Sequence, residues 1–182
     1  QGTDIAIGSA QVDQLLKGTT DIAVDLQGQG AAITVDQLDI TSPELTVSGQ
    51  GALGQVGDTL SLSGKLANLG IFVPQLRGEF TLDAKATSQS VTTWDIDLNA
   101  AGPQGLAASV TGTASPQAQD LTVSAALGNL GVFVRELPGR VAAQGKVNGV
   151  NGTYTVDLAA TGPANAKLTA KGRAYGPDGT MA

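Results

Sequence analysis

The chain has 182 residues, enough to bury a core, and its net charge of −6 with only 3% aromatic residues argues against nucleic-acid binding, which needs basic clusters interleaved with aromatics. It has no Cys and no His, which removes thiol chemistry, disulfides, imidazole catalysis and His or Cys metal ligation together. Its 25 glycines, set among Val, Leu, Ile, Ala and Thr, favour many short strands with tight turns over helix bundles.

The first unit, approximately residues 1–57, opens with Asp4-Ile5-Ala6-Ile7, where the alternation predicts a strand. Ser9 is placed to cap a short helix in which Val12, Leu15 and Leu16 share a face and which Gly18 closes. Alternation then predicts strands through Ile22, Val24 and Leu26, through Ile33 and Val35, and through Leu45 and Val47. Between Val35 and Leu38 the parity slips by one residue, which predicts a bulge at Asp36-Gln37.

The second unit, approximately 58–119, begins with a strand through Leu60, Leu62 and Leu66. Leu66, Leu69, Phe72, Val73 and Leu76 then follow helical spacing, with Asn68 as candidate N-cap and Gly78 past the end. Gly70 and Pro74 limit this segment to a single turn. Three alternating segments follow, carried by Phe80, Leu82, Ala84 and Ala86, by Trp94, Ile96 and Leu98, and by Leu106, Ala108 and Val110. The third unit, approximately 120–182, repeats the pattern with Leu121 and Val123, then Val141, Ala143 and Val147, then Tyr154, Val156 and Leu158, then Ala166, Leu168 and Ala170.

This repetition organises the chain. The segment LANLGIFVPQLRG at Leu66–Gly78 returns as LGNLGVFVRELPG at Leu127–Gly139 with eight of thirteen residues identical. Gly102-Pro103 answers to Gly162-Pro163 and Gly112 to Gly172, while Leu16-Lys17-Gly18 and Pro43 form a fainter first copy. A period near 60 residues points to stacked units that bury apolar surface against their neighbours.

Short turns rich in Gly, Pro and Asn suit an antiparallel meander, and no long amphipathic helix is available to cover the aliphatic face of the resulting sheet. The remaining covers are folding over into a sandwich, closing into a barrel, or curling into a trough. Small inward residues (Ala84, Ala86, Ala108, Gly112, Ala143, Ala170) leave space that a packed core would fill, and so favour the trough. The predicted fold is all-β: an elongated antiparallel sheet of about a dozen strands curled around an apolar interior. Such a groove can shelter acyl chains, each methylene withdrawn from water contributing about 0.8 kcal/mol. Its candidate lining is Ile22, Val24, Ile33, Val35, Val47, Leu62, Phe80, Leu82, Trp94, Ile96, Leu98, Leu106, Val110, Val123, Tyr154, Val156, Leu158 and Leu168.

Other constellations carry less. Asp95 and Asp97 share a strand face, yet the counterpart of Asp95 is Thr155, so the pair is not repeated and reads as a solvated surface. Ser nucleophile motifs lack a base, GxSxG does not occur, and no catalytic, metal or cofactor site is expected. Lys167, Lys171 and Arg173 line one side of the last strand, the usual device for protecting a sheet edge. Phe72, Phe133, Trp94 and Tyr154 recur in pairs, as core residues or as a line of aromatics beside a lipid track. Charge runs along the array, from −7 over residues 1–60 to +3 over residues 122–182. No long apolar run and no leader pattern occur, and the pattern breaks off at Met181-Ala182, so the sequence reads as a piece of a longer protein.

The apolar turn, the Leu-x-Gly motif at Leu76-Arg77-Gly78, Leu137-Pro138-Gly139 and Leu16-Lys17-Gly18, and the alternating strands with Gly-Pro turns resemble the periplasmic repeat region of the TamB family, in the AsmA-like group. The resemblance spans nearly the whole chain. It implies a curled "β-taco" sheet within an inner-membrane-anchored protein that crosses the periplasm. It also implies a non-enzymatic role in moving phospholipid toward the outer membrane, or alternatively in outer-membrane protein assembly with a TamA-like barrel partner contacted by regions outside this sequence. A repetitive surface adhesin, with a filled core and no lipid, is the third expectation.

Overall fold

The computed structural model describes residues 2–4, 8–30 and 32–175. Strand-period alternation dominates these residues, and they form twelve strands in sequence order, each hydrogen-bonded to the next. The strands are β1 (Gly2–Thr3), β2 (Thr19–Gln29), β3 (Ala32–Thr41), β4 (Leu45–Leu53), β5 (Thr59–Leu66), β6 (Phe80–Ser88), β7 (Trp94–Gly102), β8 (Leu106–Ala114), β9 (Ala118–Leu127), β10 (Val141–Val150), β11 (Thr153–Thr161) and β12 (Lys167–Tyr175). Every neighbouring pair is antiparallel, and β1 and β12 stand at opposite ends of the order, so the sheet is an open, elongated trough and not a barrel. At about 4.8 Å per strand it runs roughly 50 Å from edge to edge.

The repeat is visible as four strands per unit. The long connection always follows the unit's first strand: it holds helix α1 (Ala10–Leu15) in the first unit and single 3₁₀ turns at Leu69–Ile71 and Leu130–Val132 in the second and third. Asn68 caps its turn as expected, its Oδ1 accepting from Gly70 N (2.9 Å) and Gly78 N (3.2 Å). Asn129 does the same for Gly131 N (2.9 Å) and Gly139 N (3.1 Å). In the first unit Asp4 takes this role, accepting from Gly18 N at 2.8 Å. The Leu-x-Gly motif and the later turn proline, which follows Gly in the second and third units and Ser42 in the first, are separate in sequence and meet in space. A Cβ on Gly18, Gly78 or Gly139 would lie 3.3–3.4 Å from Pro43, Pro103 or Pro163, and all three glycines have positive φ. Glycine is thus required there both by conformation and by the close approach of the proline.

At the amino-terminal end one expectation falls mostly outside the described residues and one is corrected. The opening strand is Gly2–Thr3; Asp4 departs from it with φ of 49°, because its carboxylate turns back to Gly18, and Ile5, Ala6 and Ile7 lie outside the described residues. Ser9 does stand at the N-cap of α1, but its side chain makes no capping hydrogen bond.

The bulge occurs where parity predicts it. Asp25 faces Gln37 while Leu26 faces Val35, which leaves Asp36 as the extra residue and returns Leu38 and Ile40 to the apolar face. Gly51 and Gly112 are repeat mates within strands, with φ of 153° and 137°, a backbone conformation that residues with a side chain rarely adopt. Among the described residues the buried hydrophobic side chains are Leu15, Leu66, Leu76 and Leu127. All four lie in, or lead into, the long connections, so the sealed core sits at one end of the strands and leaves most of the sheet face without cover.

Candidate functional site

The cross-strand register assembles the apolar residues into continuous rows. One row crosses eleven strands through Val24, Leu38, Gly49, Leu62, Ala84, Leu98, Val110, Val123, Gly145, Leu158 and Ala170. A second runs beside it through Leu26, Val35, Gly51, Leu60, Ala86, Ile96, Gly112, Leu121, Val147, Val156 and Gly172. A third, from Ile22, Ile40 and Val47 through Leu82 to Leu168, includes Ala100, Ala108, Ala125, Ala143 and Ala160 on five successive strands. Because side chains alternate, the opposite face takes the polar set. There Asp39, Ser48, Ser63, Asp83, Asn99, Ser109 and Ser124 form the matching row.

All eighteen residues expected to line the groove fall on the apolar face. Phe80 stands opposite Leu66 at the loop end, where Phe80 and Leu106 close over Gly102, at 3.2 and 3.1 Å from where a Cβ would be. Ile33 pairs with Leu53 and Trp94 with Ala114 at the other end of the strands. Tyr154 lies there too, its ring over Gly149. Alternation also carries Leu38, Ile40, Leu60, Leu121 and Val147, outside the expected lining, onto this face. Leu38 and Ile40 reach it because the bulge at Asp36 reverses parity within β3.

The four aromatics, expected either as core residues or as a line beside a lipid track, do not form a single line. Phe72 and Phe133 sit at the long connections, where they are exposed, whereas Trp94 and Tyr154 lie at the far end of their strands, about eight residues or roughly 26 Å away.

Cover is thinnest toward the two edges of the sheet. Val24 is 53% exposed and Leu168 67%, while Leu62, nearer the middle, is 38% exposed. Between β3 and β7 the face holds a hollow of about 320 Å³ lined by Val35, Leu38, Leu60, Leu62, Ala84 and Ile96. A twisted sheet is hollowed on both faces, and the polar side has a larger depression of about 510 Å³ bordered by Asp36, Asp39, Asp83, Lys85, Asp97 and Asn99. Size does not make the polar depression the better site. Its borders are solvated side chains that satisfy one another, as where Asn99 Nδ2 donates to Asp97 Oδ1 at 2.7 Å.

No protein-family model matches the chain, and no curated protein or solved structure is significantly similar to it. Function must therefore be argued from the geometry.

The Asp95/Asp97 pair does not act as a unit, since the Asp95 carboxylate takes the Gln89 amide and Asp97 that of Asn99. Among the described residues no group of three or more His, Cys, Asp or Glu is arranged to hold a metal, and no helix is long and apolar enough to cross a membrane. Lys167, Lys171 and Arg173 do share the polar side of β12, opposite Thr161, Asp157 and Thr155. Lys171 pairs with Asp157 at 2.7 Å.

Proposed function

We propose that the apolar face is a non-enzymatic binding surface for phospholipid acyl chains, within a periplasmic protein of the TamB type that carries lipid between membranes. The observation that carries this is the unbroken set of apolar rows over eleven strands with no second sheet among the described residues to cover them. Exposed apolar surface of this extent marks an interaction site. The occupant must be long, apolar and undemanding of hydrogen bonds, because the rows present only aliphatic side chains and small residues. An acyl chain fits that description. The alanines on β7 to β11 form a shallow gutter spanning about 19 Å, the length of a long acyl chain. A chain of a dozen methylenes, shielded from water on one side, gains on the order of 5 kcal/mol there.

Leu98 and Val156 lie in adjacent rows in different units, and both side chains are only half-buried, so Asp at either position is solvated without unfolding the sheet. The test is lipid extraction from protein purified without detergent, quantified by mass spectrometry. Leu98→Asp and Val156→Asp should each lower recovered phospholipid severalfold while the far-UV circular dichroism stays that of an all-β protein. Wild-type recovery in both variants would exclude the trough as the lipid site.

A further inference from the structure

The last strand of each unit is covered by the first strand of the next. β4 pairs with β5 and β8 with β9, but β12, third in that series, has no strand on its outer side among the described residues. The covered pairs define what the cover looks like. Leu60 stands opposite Gly51 and Leu121 opposite Gly112. A Cβ on those glycines would lie 2.2 Å from Thr59 O and 2.0 Å from Asp120 O, whereas around Gly172, their mate on β12, there is nothing within 4 Å. On the polar side Ser48 Oγ meets Ser63 Oγ and Ser109 Oγ meets Ser124 Oγ, each at 2.8 Å. Thr169 occupies the corresponding place on β12 and makes no such bond among the described residues. β12 is exposed along its whole length.

Charge narrows the choice of partner. Where β8 presents Ala107, Thr111 and Thr113 to the polar side, β12 presents Lys167, Lys171 and Arg173. Lys171 is engaged by Asp157, which leaves Lys167 and Arg173 without an ion pair among the described residues. In the template Thr113 faces Asp120, so the place of Arg173 is one that a carboxylate of the incoming strand would face. Basic residues on an edge discourage indiscriminate pairing, yet the same charges admit a strand bearing an acid at the right register.

We propose that the β12 edge docks the first strand of another repeat unit of this kind. Such a strand places a leucine opposite Gly172 and a serine opposite Thr169, as β5 and β9 both do for their partners, and, when it is of the β9 type, an aspartate opposite Arg173. The edge is separate from the acyl-binding face, and its test uses lipid-free protein.

The probe is a synthetic peptide with the sequence of Gln117–Gly128, which contains β9. Since the chain has no Cys, a disulfide between Ala170→Cys in the protein, at the place where Val110 faces Val123 in the template, and Val123→Cys in the peptide reports register without background. The expected result is that Ala170→Cys is cross-linked in preference to Ala174→Cys, four residues away. Arg173→Glu should weaken peptide binding about fivefold, and a peptide carrying Asp120→Arg should restore it. Circular dichroism checks that each variant is folded. Cross-linking no greater than with a scrambled peptide, equal cross-linking at both cysteine positions, or no rescue by the charge swap would overturn the proposal.

Discussion

Leu76 and Leu137 occupy the same place in the second and third units, but Leu76 is 5% exposed and Leu137 47%. The repeat mate in the first unit, Leu16, is half-buried, with its neighbour Leu15 buried, so of the three equivalent leucines that of the last unit has the least cover. Truncation to Ala separates this from any intrinsic property of the motif. At Leu76 the change removes buried carbons and leaves a cavity, for a loss of about 3 kcal/mol. At Leu137 about half of the side chain already meets water and no sealed cavity forms, so the loss is about 1 kcal/mol. For a chain of this size each kcal/mol shifts Tm by roughly 2–4 °C, and the two variants should therefore melt ~4–8 °C apart. Urea unfolding followed by far-UV circular dichroism and by the fluorescence of Trp94, the single tryptophan, gives the comparison. Equal destabilisation would refute the view that each connection is sealed by the unit that follows it.

The strand glycines make a second comparison: Gly112→Val should lower Tm sharply because its Cβ would meet Asp120 O, while Gly172→Val, with open space around it, should stay within a few degrees of wild type in a thermal melt. Asn129→Ala removes an acceptor shared by two backbone N–H groups and should cost about 1–2 kcal/mol in urea unfolding, whereas Asn129→Asp, which supplies the acceptor Asp4 uses in the first unit, should cost less than half as much. Lys171→Ala breaks an exposed ion pair and should change stability by less than about 0.5 kcal/mol by the same assay.

Much of this fold is legible in the sequence, because period-2 alternation and a repeat near 60 residues constrain each other. Register follows from parity: once Leu82 and Leu98 are assigned inward, the pairing of Ala84 with Leu98 and of Leu98 with Val110 leaves little freedom. The bulge at Asp36 is legible for the same reason, as the only way to reconcile Val35 with Leu38. Long-range contacts through glycine are not legible. Nothing in Leu-x-Gly says that its glycine will lie beneath a proline about 25 residues later, since the contact depends on a positive φ and on where the next hairpin turns. The aromatic pairs misled for a related reason: recurrence in sequence fixes equivalent places in successive units, but not which end of the strand those places occupy. Asp4 escaped notice because the connection of the first unit is longer, so that the equivalent of Asn68 lies fourteen residues before its glycine rather than ten.

The most direct test of acyl binding is to find where on the sheet an acyl chain sits. A phospholipid with a photoactivatable diazirine in its tail, incubated with the protein, irradiated and mapped by peptide mass spectrometry, reads this out. Insertion concentrated at inward residues such as Leu62, Leu98, Ala108 and Val156 is the expected result. Insertion at Ser63, Asn99, Ser109 and Asp157 on the opposite face, or none above that of an unrelated β protein, would contradict an acyl-binding trough.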